Sequence, residues 1–216
     1  QELLQQLDIS GCLVVADALN CQKETARVIV SGKGDYLLSV KENHPSLMRD
    51  IRDYIQDDSL RVSMSSQTIQ EKNRDRIETR TAFVSHNIAW LPQKEQWLHL
   101  ACIGALHTQF QTQAGKSSQW HYYLSSRQLS ADELLHHARM EWAVESMHWL
   151  LDVHFDEDYL RVANKTIQEN LNLLRKFSLG LIKQYKSKTA SKRPLSKLMF
   201  DCLLDCSMIL RILFQN

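Results

Sequence analysis

Residues 139–158, RMEWAVESMHWLLDVHFDED, set carboxylates and imidazoles among two tryptophans and a run of aliphatics. On an α-helix each residue turns by about 100°, so with His137 at zero His148 lies at roughly 20°, Glu141 at roughly 40°, Asp152 at roughly 60° and Glu145 at roughly 80°. Five metal-competent side chains thus share a stripe roughly 80° wide. Trp142, Ala143, Val144, Met147, Trp149, Leu150 and Leu151 fill the rest of the circumference, with only Arg139 and Ser146 polar opposite the stripe. A helix this apolar is expected to be packed on most sides. Carboxylates one turn apart repel by a few tenths of a kcal/mol, and a divalent cation or a lysine from elsewhere would remove that penalty. The same stripe also suits a helix that simply keeps one face in water. Composition does not choose between the two.

Asp17 offers the other half of a candidate centre. It closes the apolar run LVVA within GCLVVADAL, which reads as a short buried strand. In parallel sheets, functional side chains gather where strands end at their carboxyl edge. An aspartate there can meet a carboxylate projecting from a helix packed beside the sheet. Two or three such oxygens can hold magnesium ions about 4 Å apart, one activating a nucleophile and the other stabilising the leaving oxygen of a phosphodiester.

The elements that must position these residues read as follows. NCQKETARVIVSGKG is a helix, with Asn20 as its expected N-cap and Gly32 and Gly34 at its exit. DYLLSV is a second buried strand, so strand, helix and strand form a βαβ unit with parallel strands. Pro45 opens a further helix, PSLMRDIRDYIQD. From about residue 61 three strand-like runs follow, DRIETRTAFVSH, QWLHLACIGALHT and WHYYLSSR, separated by the turn-rich AWLPQKE and TQAGKSSQ. After residue 129 the chain reads as helix: Ser130 and Glu133 form a capping box, and a long helix runs to about residue 151. Two more helices follow, the last over LSKLMFDCLLDCSMILRILF. Three regions are expected: 1–60 as part of a core sheet carrying Asp17, 61–128 as an antiparallel β-rich insertion, and 129–216 as a helical region carrying Glu145.

Composition narrows the class. Hydrophobic residues make up 44% and charged residues 24%, a globular balance, and a formal charge of +1 leaves any basic surface to be local. One such stretch holds Lys183, Lys186, Lys188, Lys192, Arg193 and Lys197 without an acid between residues 180 and 200. It could track a DNA backbone, or serve as a solvated linker. The five cysteines contain no C-x-x-C pair; Cys202 and Cys206, four apart in a helical pattern, suggest two buried thiols and a reducing cytoplasm. The opening QELLQQLDIS is polar and helical rather than a signal peptide, and the most apolar helix is interrupted by Asp201, Asp205 and Arg211, so no membrane span is expected. AGKSS ends like a phosphate-binding loop, but Phe110 stands where its first glycine is required, so it reads as a turn.

Several stretches resemble one family throughout the chain and in order. VVADALNCQKETARVIVSGKGDYLLSVKENH is similar to a pattern with an aspartate in T-I-D-A, then Q-K-x-I-A, then D-Y-x-L-x-L-K-x-N-Q. DRIETRTAFV resembles its G-R-I-E-x-R strand, and RMEWAVESMHWLLDVHFDED resembles R-x-H-W-x-I-E-N-x-L-H-W-x-L-D-V-x-F-x-E-D. ENLNLLRKFSLGLIK resembles N-x-A-x-L-R-R-x-A-L-x-L-L-K. The family is the H-repeat-associated type of bacterial insertion-sequence transposase, with a ribonuclease-H-like catalytic domain and an Asp, Asp, Glu metal triad.

The resemblance implies an α/β fold with a partial ribonuclease-H-like core. It makes Asp17 the second aspartate and Glu145 the glutamate of the triad, holding Mg (or Mn), with His148 and Asp152 as neighbours of the site. It also makes Lys41 and Arg139 candidates for DNA phosphate contacts, the alternative for each being a surface ion pair. The implied reaction is cleavage of a DNA strand by water, then attack of the freed 3′-hydroxyl on target DNA, with DNA as partner and a homo-oligomer as a further expectation. Three departures stand out. The family's first aspartate, in an A-x-D-G-K segment, has no counterpart here, so the chain reads as truncated ahead of Gln1. Glu141 and Ser146 replace His and Asn, and His44 replaces the Gln of K-x-N-Q. Residues 1–216 alone are therefore expected to be inactive. Two rival readings are a remnant that at most binds DNA, and a zinc hydrolase with His137, Glu141 and His148 as ligands and Glu145 as general base.

Overall fold

The computed structural model describes residues 2–73, 76–156, 159 and 161–214, with the backbone alone at 73 and 141–145. The chain divides into two compact units, residues 1–142 and 143–216.

In the first unit, helix α1 (Glu2–Gln6) precedes β1 (Leu13–Ala16), α2 (Lys23–Ser31) and β2 (Asp35–Val40). β1 and β2 pair in parallel, Leu13 beside Asp35 and Ala16 beside Leu38, as the strand–helix–strand pattern requires. The α2–β2 connection turns through Lys33, whose φ of 59° is left-handed. Gly34 follows because a Cβ there would come within 2.9 Å of the Ile9 carbonyl oxygen. Helices α3 (Pro45–Gln56) and α4 (Asp58–Arg61) lead into four long strands: β3 (Ser65–Asn73), β4 (Arg76–Ser85), β5 (Cys102–Thr112) and β6 (Gly115–Ser125). These pair antiparallel, and β6 also pairs antiparallel with β2, giving one sheet in the order β1-β2-β6-β5-β4-β3. The antiparallel strands thus continue the sheet of β1 and β2. The mixed α/β class expected from the sequence is present.

Alternating side chains sort the sheet's two faces. Tyr36, Leu38, Ile103, Tyr122 and Leu124 pack under Ile29 of α2 and Leu47, Ile51 and Ile55 of α3. Leu37, Ala82, Val84, Leu106 and Tyr123 pack under Leu134, Leu135 and Ala138 of α5 (Ala131–Phe155). β2 is covered on both faces, which is why DYLLSV lacks a polar alternation. The expected capping box opens α5: the Ser130 backbone N–H donates to Glu133 (2.8 Å), and the Glu133 N–H donates to Ser130 Oγ (3.2 Å).

The second unit contains the rest of α5 with α6 (Lys165–Lys188), α7 (Leu195–Leu204) and α8 (Cys206–Phe214). Ile182, Leu198, Met208 and Ile212 form its core. The single C-terminal helix expected from the sequence is two helices. Asp205 leaves the helical conformation and its carboxylate accepts from the Ser207 N–H (2.8 Å) and hydroxyl (2.7 Å), starting a new helix. Cys202 and Cys206 therefore sit on different helices, Cys206 is exposed, and all five thiols are unbridged. Strand β3 was not expected, and the polar TQAGKSSQ is a tight hairpin whose flanks belong to β5 and β6, Thr112 beside Gly115.

Gly104 of β5 marks the tightest approach of α5 to the sheet. A Cβ there would lie 2.5 Å from Leu134 Cδ2 and 3.2 Å from the Phe83 carbonyl oxygen. Gly104→Ala should therefore lower stability by about 1–3 kcal/mol through overpacking. In urea denaturation, adding Leu134→Ala should cost less in the Gly104→Ala background than in the wild type, because the two residues share one contact.

Candidate functional site at the carboxyl edge of the parallel strands

Asp17 leaves β1 in an extended conformation and caps the 3₁₀ turn Ala18–Asn20. Its Oδ1 accepts from the Asn20 backbone N–H (3.2 Å) and side-chain amide (2.9 Å). Asn20 is thus a partner of Asp17, and the N-cap of α2 is Gln22 instead. Among the described residues Oδ2 of Asp17 accepts no hydrogen bond. Because β1 and β2 run parallel, Lys41, the residue after β2, emerges at the same edge as Asp17. Both line a cleft of about 590 Å³, with Leu19, Glu42 and Asn43 nearby and Trp120 and His121 of β6 on the wall.

The loop carrying Asp17 is tied down from the β2–α3 connection. Asn43 Nδ2 donates to the carbonyls of Ala18 (2.7 Å) and Cys21 (3.3 Å). His44 Nε2 lies 2.7 Å from the same Cys21 carbonyl, so that nitrogen carries the proton. The His44 ring stands edge-on to Trp97, with centroids 5.3 Å apart. Burial pushes the Cys21 thiol up to about 12. KENH carries these scaffolding roles without a pattern along the chain that marks them, and no sequence signal connects β6 with Asp17.

A second charged group lies between α5 and the outer strands. Arg139 Nη1 donates to Glu71 (2.9 Å), which also accepts from Arg80 (2.6 Å). Arg80 in turn binds Glu78, which also pairs with Arg76; Glu78 is 1% exposed and Arg80 8%. Arg139, a candidate for DNA phosphate, is thus engaged in an ion pair. The hydrogen bond from Arg139 holds the Glu71 carboxyl below the usual carboxylate range; desolvation opposes it, and the charge of Arg139 with the hydrogen bond and charge of Arg80 add to the lowering. Burial lowers His137, with the neighbouring His136 adding to the effect.

The remaining sequence candidates fall as follows. α5 is helical throughout 131–155, as the stripe requires. The side chains of Glu141 and Glu145 lie outside the described residues, and Glu145, His148 and Asp152 belong to the second unit. Lys183 and Lys186 lie on α6, Lys186 in its last turn. Among the described residues no three His, Cys, Asp or Glu side chains gather to hold a metal, and no helix is long and apolar enough to cross a membrane.

Two outcomes follow. Asn43→Ala should cost about 0.5–1.5 kcal/mol by removing its amide bonds to the Ala18 and Cys21 carbonyls, and amide exchange should quicken at Ala18–Cys21 before it does elsewhere. Because Glu71 is depressed in the folded state, its contribution is present above the ordinary glutamate range and is lost as pH falls through its lower folded value. For a partly exposed pair the effect is at most about 1 kcal/mol. The urea midpoint of Arg139→Met should depend less on pH across that acidic window than the wild type's.

The family described as "Transposase DDE domain" matches residues 1–181. The chain is 32% identical over 212 residues to "Putative transposase YncI" of Escherichia coli O157:H7, covering 94% of this chain and 54% of that protein. It is 28% identical over 212 residues to "H repeat-associated putative transposase YhhI" of Escherichia coli strain K12, covering 93% and 55%. With "H repeat-associated putative transposase YbfD" of the same strain it shares 38% identity over 84 residues, 38% of this chain and 33% of that protein. The chain spans about half the length of the longer matched relatives. With the match running from α1 through the loop of Asp17 and α5 into α6, the chain belongs to the transposase DDE domain family.

Proposed function

We propose that this chain is part of a DNA transposase in which Asp17 and Glu145 hold a divalent cation, Mg or Mn, and that the intact protein cleaves DNA strands and transfers them to target DNA. The observation that carries the reading is Asp17 at the carboxyl edge of two parallel strands, with one oxygen fixed by Asn20 and the other unengaged among the described residues. Such a carboxylate is a preorganised ligand, and its hard oxygen suits Mg or Mn better than a thiophilic ion. When bound, the cation supplies Lewis acidity toward a phosphodiester and lowers the pKa of bound water.

Within this chain, Asn20 orients Asp17, and Asn43 and His44 hold the loop so that the carboxylate does not swing away. Lys41 at the cleft mouth suits a DNA phosphate, as do Lys183 and Lys186 on α6. Arg139 would reach phosphate only by giving up Glu71. Transposon ends and target DNA are the partners of this reading, with a homo-oligomer to hold both, and five unbridged thiols suit a reducing cytoplasm. The 216 residues contain no D-G-K segment to supply a third triad carboxylate, so cation binding is expected from this chain and strand cleavage is not.

Titration with Mn²⁺ followed by electron paramagnetic resonance tests this reading. The wild type should bind Mn²⁺, and Asp17→Asn or Glu145→Gln should each weaken binding by about tenfold or more, about 1.4 kcal/mol. Supercoiled plasmid should remain unnicked. Equal Mn²⁺ affinity in Glu145→Gln would remove the pairing with Asp17, and metal-dependent nicking abolished by that variant would show the chain to be active alone.

A further inference from the structure

Two guanidiniums from different elements converge on one carboxylate between α5 and the outer strands. Arg139 of α5 donates to Glu71 Oε1 at 2.9 Å, and Arg80 of β4 donates to Glu71 Oε2 at 2.6 Å. Behind them Arg80 also binds Glu78, which pairs with Arg76. The two layers of this cluster differ in access to water. Arg80 and Glu78 are enclosed, and removing either would strand a buried charge. The Arg139 and Glu71 side chains are 46% and 40% exposed, and an ion pair that open to water contributes little. The hold is also incomplete, because Arg139 gives Glu71 one nitrogen, Nη1, of a fork that can grip an oxyanion with two. Among the described residues the cluster sets Arg76, Arg80 and Arg139 against Glu71 and Glu78, so positive charge is in excess.

We infer that Glu71 makes an autoinhibitory contact: its carboxylate takes the place of a DNA phosphate on Arg139 and yields it when DNA arrives. This rests on the proposed function above and adds to it a control on DNA affinity. The exchange strands no charge. When Arg139 turns to a phosphate, Glu71 keeps Arg80, and Arg80 keeps Glu78. A phosphate offers oxygens to both arms of the guanidinium, where Glu71 engages one, and this favours the exchange once DNA is near. Without DNA, the carboxylate cancels the guanidinium charge locally and weakens the pull of this surface on an anion. Holding α5 to the sheet does not require the pair, because Leu134, Leu135 and Ala138 already pack there. A contact meant only to fasten the helix gains from enclosure, as Arg80 and Glu78 have; the one that reaches α5 is the open one.

The test is fluorescence anisotropy of the 216-residue chain, in EDTA, with a labelled blunt DNA duplex. Glu71→Gln should bind the duplex roughly two- to fivefold more tightly than the wild type, the strength of a partly exposed ion pair. Glu71→Asp, which keeps the charge but withdraws it by one methylene, should also gain, so net charge alone is not the cause. Both gains should vanish in the Arg139→Met background, a double-mutant cycle that isolates the contact. With Arg139 released, the plot of log affinity against log salt should steepen by about one. A lower urea midpoint for Glu71→Gln with unchanged duplex affinity would overturn the autoinhibition and leave the ion pair structural. An equal gain with and without Arg139 would overturn it too, as a long-range effect of removing charge. Failure of the cycle with duplex and Mn²⁺ binding intact removes the autoinhibition alone, whereas a chain that binds neither removes the proposed function with it.

Discussion

Strand β2 is hydrogen-bonded on both sides, to β1 in parallel and to β6 in antiparallel, and is buried on both faces by α3 and α5 residues. A strand so constrained has one place where its chain can leave the sheet with a polar side chain: its carboxyl end. There Val40 lies beside Tyr122, and the next residue is Lys41. The parallel partner brings Asp17 to that edge, and the antiparallel partner brings Trp120 and His121. The cleft is therefore a consequence of pairing sense. With β6 parallel to β2, the residues beside Lys41 would come from its other end.

What was legible in the sequence was whatever hydrophobic runs report. LVVA and DYLLSV stood out because strands covered on both faces show unbroken apolar stretches, and Pro45 and the Ser130–Glu133 pair announced their helices. Strand β3, SSQTIQEKN, was invisible. Its inward side chains are Ile69 and Glu71, and Glu71 is satisfied by Arg80 and Arg139 rather than by apolar contact, so a hydrophobic pattern had nothing to detect. The polar hairpin between β5 and β6 failed for a related reason: one of its faces is open and the other ends in serines and threonine. In the last segment an aspartate that seemed only to interrupt an apolar helix is the cap that starts the next one.

The site was legible in part. The strand-end position of Asp17 was legible because the apolar run LVVA precedes it, but its hydrogen-bond partners were not, since neither Asn20 nor Asn43 forms a pattern along the chain. The departure at His44 illustrates how physical role can outlast residue type. Where the family pattern has glutamine, His44 presents an N–H at Nε2 to the Cys21 carbonyl, a bond that a glutamine amide could also make. The exchange conserves a donor at the end of a planar side chain and adds a ring that packs edge-on against Trp97. It leaves the loop of Asp17 supported. Nothing in the structure explains Ser146.

The two faces of the outer strands show why alternation of charge deserves the same scrutiny as alternation of hydrophobicity. Glu71 and Glu78 both point under α5, where Arg139, Arg80 and Arg76 meet them. Removing one partner from an enclosed pair costs about 3–5 kcal/mol, so a charge buried there must be matched residue by residue. On the open face water would solvate a carboxylate, so the matching is demanded only where the charge is enclosed. Confining acids to the enclosed face leaves the open one electrostatically available to an anion, although the whole chain carries a formal charge of only +1. A small net charge is thus compatible with a surface suited to phosphate, provided that the acids are spent inside.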